Sequence, residues 1–160
     1  MTETKKAIFG LSSVPEYIEV AEEAVSALDA DKVSVFKCFS AMLILTHLVD
    51  WLHETFTDEQ KRAAGLPIGE YSQLRKALET ENGELALVRR LANGFKHVRI
   101  VDPTGKIEGY GSGPYGVGPF GKPYLLIDLG EDREPKDRWS TAHGLASRAL
   151  EWWKGRLKSC

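Results

Sequence analysis

The stretch RRLANGFKHV, residues 89–98, begins as an ordinary helical run and ends in an asparagine, a glycine, a lysine and a histidine. At about 100° per residue, Arg90, Asn93 and His97 fall within one narrow arc of a helix, because seven positions nearly close two turns. Lys96 stands beside that arc, and Gly94 leaves the backbone open to close approach. A guanidinium forks onto two phosphate oxygens, and an imidazole takes and gives a proton near neutral pH, so this trio suits phosphate chemistry. A second polar set closes the run DKVSVFKCFSAMLILTHLVDWLHET, where His47, Asp50 and Glu54 share a face and His53 lies beside them.

Each set also has a purely structural reading. Arg90 can pair with Glu84 or Glu54, Asn93 can bond to a neighbouring helix, and Lys96 and His97 suit the terminal carbonyls of a helix. As metal ligands, the histidines and carboxylates of the second set lack the Glu-x-x-His pairs of a di-iron bundle. No metal and no cofactor is expected.

The elements that must position these residues read as helices. Ser13 and Glu16 have capping-box spacing, with Pro15 in the first turn, and Tyr17, Val20, Ala21, Ala24 and Leu28 line one face. The second helix runs from about Lys32 to Thr55, apolar nearly all round in its middle, as a central helix would be. A charged crossover with a Gly-Leu-Pro break at 65–67 and one short helix near 70–80 leads to a third main helix, about Glu84 to His97. Leu85, Val88, Leu91, Ala92 and Phe95 form its buried stripe. If the crossover returns the chain to its starting side, the second and third helices run parallel and their polar ends meet; a short hairpin separates them.

Beyond His97 the texture turns to β-branched and aromatic runs broken by Pro-Thr-Gly and by glycines, a β insertion at about 98–130 read as a hairpin or a three-strand meander. Its glycine-rich loop, 109–122, contains Gly-x-Gly-x-x-Gly twice, from Gly111 and from Gly116. A dinucleotide site needs that pattern between a strand and a helix, and here prolines and another strand follow. The loop's Tyr110, Tyr115 and Phe120, with Tyr124 just beyond it, give it rings with which to fold over a neighbouring site. The chain closes on a helix whose face carries Trp139, Ala142, Ala146, Ala149, Leu150, Trp153 and Leu157, with His143 as a core histidine and Trp152 pointing outward. The fold class is therefore mainly α, a single helical-bundle domain over residues 1–160 with a small antiparallel insertion before the last helix.

Twenty-one Lys and Arg against twenty-three Asp and Glu give a net charge of −2, so any nucleic-acid binding must be local. Two cysteines, Cys38 and Cys160, make neither a disulfide framework nor a metal clip. The start MTETKKAIFGLSS lacks the apolar centre of a signal peptide, and AMLILTHLV falls short of a membrane span, so a cytoplasmic protein without membrane contact is expected.

An arginine and a histidine separated by four to six residues, as Arg90 and His97 are by six, at the end of a bundle helix, resemble the HEPN superfamily. DWLHE on one helix, LANGFKH on a later one, a β segment and a last helix with a tryptophan pair look like uncharacterised bacterial HEPN-like proteins with an Ala-Asn-x-x-Lys-His signature. The resemblance covers roughly residues 33–155. It implies a metal-independent endoribonuclease in active members, often toxins or defence proteins, beside members that only bind or regulate. His97 would then be the general acid/base toward a ribose 2′-OH and Arg90 the holder of the phosphate oxygens, with Asn93, Lys96, Asp50, His53 and Glu54 as binding residues. Leu91 stands where the commonest family version has a polar residue. The implied partners are RNA or a nucleotide, an antitoxin, and a second copy, since an exposed Trp152 and the apolar second helix leave surface to cover.

Overall fold

The computed structural model describes residues 9–97, 104–108 and 113–158, with backbone alone at 95–97 and 104–105. The first helix, α1, spans Val14–Ala30 and starts on the expected capping box, with the Ser13 hydroxyl accepting from the Glu16 N–H and the Glu16 carboxylate answering. Next, α2 spans Val35–Thr55, and two short helices, α3 at Asp58–Ala63 and α4 at Tyr71–Glu81, fill the crossover. Then come α5 at Gly83–His97, β1 at Thr104–Ile107, β2 at Tyr124–Asp128, β3 at Trp139–Thr141, and α6 at Ala142–Leu157.

The main core lies where α1, α2, α5 and α6 meet. Leu28, Met42, Leu45, Leu48, Leu52, Leu145 and Trp153 are almost wholly out of solvent there. By length and composition alone α2, 21 residues with mean hydropathy 1.5, is apolar enough to cross a membrane, which the run at 41–49 by itself does not reach. In this fold α2 packs against α1, α5 and α6.

Helix directions follow from the side chains that meet. Tyr17 stacks on Trp51 with ring centroids 4.8 Å apart, so α1 and α2 are antiparallel neighbours. Lys154, near the end of α6, pairs with Glu22 at the middle of α1 at 2.7 Å, and Leu157 shares a hollow with Val14 and Thr55, which sets α6 against α1 and alongside α2. Glu81, the last residue of α4, meets Arg156 at 3.0 Å and Glu84, in the first turn of α5, meets Arg148 at 2.6 Å, so the α4–α5 junction packs along α6.

The insertion is the three-strand antiparallel meander, in the order β1-β2-β3. Its third strand lies beyond the expected range. Trp139, Ser140 and Thr141 pair with Asp128, Ile127 and Leu126, and Thr141 then caps α6 by accepting the Gly144 N–H at 3.1 Å. Trp139 thus belongs to a strand and not to the last helix; a β-branched cap and an aromatic edge residue outweigh helical spacing when a partner strand is at hand. Trp152 also differs from expectation. It is half-buried and packs on the core, edge to face with Trp153 at 5.1 Å.

His143 is half-buried in the first turn of α6, and its Nδ1 is enclosed without a hydrogen-bond partner among the described residues. It is not the satisfied core histidine of the sequence reading. Burial lowers its pKa below the ordinary 6.5, aided by Lys32 and Arg148 and opposed by Asp29. The folded state therefore takes up the proton less readily than the unfolded chain, so stability is full above 6.5 and falls as pH drops from there toward the folded value. Melting curves at successive pH values should show a smaller acid-side loss for His143→Leu than for the wild type; equal losses in the two proteins would contradict the assignment.

Candidate functional site

The polar end of α2 is built into a structural seam. His47 Nδ1 lies 2.5 Å from Asp50, and Arg75 of α4 reaches the same carboxylate at 3.9 Å while its guanidinium covers the Tyr71 ring. His53 touches Glu54 and the Gly69 carbonyl, each at 3.3 Å, and stands edge-on to Tyr71. Buried Lys61 donates to the His53 carbonyl at 3.0 Å, closing the carboxyl end of α2. Burial and the nearby Asp50 push the Tyr17 phenol up to about 12.

Asn93 is exposed, and the side chains of Lys96 and His97 lie outside the described residues. Among the described residues no three His, Cys, Asp or Glu side chains converge on a position that could hold a metal ion.

Arg89 and Arg90 separate cleanly. The guanidinium of Arg89 grips the Glu79 carboxylate with two donors, a pairing that raises the arginine's pKa and ties α5 to α4. Half-buried Arg90 instead lines a groove of about 740 Å³ between the first half of α5, the start of α6, the β2–β3 connection and residues 116–118.

That groove is cationic. Arg90, Arg133, Lys136 and Arg148 line it against two carboxylates, Glu84 and Asp137. Two long helices also begin on it: Asn82 accepts the Glu84 N–H at 3.0 Å at the start of α5, and Thr141 caps α6. Helix amino ends carry partial positive charge, so both dipoles add to the four side-chain cations. Arg148 is poised by Glu84 at 2.6 Å and by the Ser140 hydroxyl at 3.2 Å. Arg133 and Lys136 are exposed and make no ion pair among the described residues.

The connection that carries Arg133 and Lys136 is braced at its root. Arg138 grips Asp128 at 2.8 and 2.7 Å, holding that carboxyl below the usual range, and lies over the Trp139 ring. On the opposite wall Gly116 and Gly118 have φ of +76° and +74°. A Cβ on Gly118 would sit 2.6 Å from the Tyr124 ring, so the loop comes closer to β2 than a side chain permits. The groove suits multivalent capture of phosphate oxygens.

Of the candidate catalytic and binding residues whose side chains are described, Arg90 lines this groove, whereas Asp50, His53, Glu54 and Asn93 do not. Arg133, Lys136, Arg148 and Thr141 went unnoticed, because they come from separate segments and no spacing links them. Comparison of the chain with family models, with curated proteins and with solved structures finds no match to any of them.

Proposed function

We propose that this chain is a HEPN-like helical protein that holds the phosphates of RNA or a nucleotide in the groove beside Arg90. The observation that carries this reading is the convergence of four cationic side chains and two capped helix amino ends on one groove, in a protein whose net charge is −2. Local positive field in an otherwise acidic chain selects an anionic ligand without collecting polyanions at random. The HEPN resemblance adds a catalytic role, with Arg90 on the non-bridging oxygens and His97 as acid and base toward the 2′-OH.

A non-catalytic module of the same fold is the second reading, favoured by Leu91. That residue is 8% exposed and belongs to the core, where active members most often carry a polar side chain next to the arginine. One experiment addresses both. Single-stranded RNA is incubated with the protein in EDTA, following binding by fluorescence anisotropy and the products by end-group analysis. Binding is expected under either reading. Products ending in 2′,3′-cyclic phosphate, lost in His97→Ala, identify the ribonuclease; intact bound RNA identifies the binding module, the outcome Leu91 favours. RNA and nucleotides that fail to bind at low salt overturn the proposal.

A further inference from the structure

A small hollow of about 10 Å³ lies inside the bundle, lined by Thr46 of α2, Arg75 and Glu79 of α4, Arg89 of α5 and Trp153 of α6, among leucines and valines. Arg89 and Glu79 satisfy one another through their two-donor pairing. The other three do not close among themselves. Thr46 Oγ1, Arg75 Nε and Trp153 Nε1 are each enclosed, and none has a hydrogen-bond partner among the described residues. Trp153 is 0% exposed, so its N–H has no access to bulk solvent. The remainder of the Arg75 guanidinium is committed to Asp50 and to the Tyr71 ring, which leaves Nε as the donor still to be met.

An enclosed N–H or O–H without a partner is costly, and folded chains meet nearly all of them. The indole N–H and the arginine Nε–H are donors only, so neither serves the other. Whatever joins them must accept two hydrogen bonds. It must also donate, because the Thr46 hydroxyl oxygen and the Glu79 carboxylate on the same wall are acceptors. Water has that valence, with two lone pairs and two protons, and the hollow has the volume of roughly one water position. A halide ion accepts but does not donate, and the Glu79 carboxylate repels it.

We propose that this hollow is a built hydration site for one structural water, which accepts from Trp153 Nε1–H and Arg75 Nε–H and donates to Thr46 Oγ1 and the Glu79 carboxylate. The water cross-links α2, α4 and α6. Helix α4 of the crossover is thereby fastened to the centre of the bundle from inside, in addition to its ion pairs with Asp50 and Arg89. The site is independent of the phosphate groove, with which it shares no lining residue.

Water-selective NOE and ROE spectra of the full chain, with nitrogen-15 in its four tryptophans, test the site directly. The indole N–H signal of Trp153, assigned by its loss in Trp153→Phe, is expected to show cross-peaks at the water frequency with NOE and ROE of opposite sign, the mark of a long-lived bound water. No cross-peak, or peaks of like sign from proton exchange alone, overturns the proposal. Thr46→Val gives a second reading through the direction of its effect. Valine keeps the shape and removes the hydroxyl, so it stabilises the fold if that hydroxyl is unmet and destabilises it if the hydroxyl holds the water. A fall in melting temperature of roughly 3 °C is expected, and a rise overturns the site. Exchanging chloride for acetate at constant ionic strength should leave the wild-type melting temperature unchanged; stabilisation by chloride would give the hollow to a halide and overturn the water.

Discussion

Replacing Trp153 by alanine is expected to cost about 4 kcal/mol of folding stability, the range seen when a fully buried tryptophan is truncated. Trp153 is 0% exposed and packs with Leu45 and Val49 of α2 and with Leu85 and Val88 of α5. One side chain from α6 thus joins the three helices that form the centre of the bundle. The loss combines the removed apolar area with the cavity left behind, since helices pinned by neighbouring leucines relax only in part. For a domain of this size it should lower the melting temperature by roughly 12 °C. A fall of under about 3 °C would show that Trp153 does not organise the core as described. Trp152, half-buried at the rim, gives the natural comparison, and its alanine variant should lose far less.

The contrast between these adjacent tryptophans shows how far the sequence could be read. Trp153 was legible as a core residue because it continues the spacing Ala142, Ala146, Ala149, Leu150. The capping box at Ser13 and Glu16 and the central role of α2 were legible for the same reason: both depend on residues close along the chain. The packing of the crossover was not, because residues 56–82 carry short charged helices whose placement no local rule fixes. The strand at Trp139–Thr141 was hidden by its own helical spacing, and only its pairing with Leu126–Asp128 reveals it. The groove is the extreme case. Its cations come from α5, the β2–β3 connection and α6, and they converge only after the sheet has folded against the helix ends.

Reversing the two exposed cations of the β2–β3 connection, Arg133→Glu with Lys136→Glu, is expected to reduce binding of single-stranded RNA by at least about a hundredfold at low salt, because the double change turns two attractive phosphate contacts into repulsive ones. The fold should not notice. Neither side chain makes an ion pair among the described residues, and both stand in solvent, so the stability change should stay within about 0.5 kcal/mol. The paired Arg138→Ala variant would be a poorer choice, since it also frees Asp128 and uncovers Trp139.

The most direct measurement of the central claim is the salt dependence of RNA binding in the wild type and in the double charge reversal. Each phosphate held by a cation releases condensed counterions, and for single strands the slope of log affinity against log salt is about −0.7 per phosphate. With Arg90, Arg133, Lys136 and Arg148 all engaged, the wild type should give a slope of about −3, and the reversed variant about −1 or no measurable binding. A wild-type affinity that does not change with salt, or a slope the two substitutions leave untouched, would contradict a phosphate site in this groove.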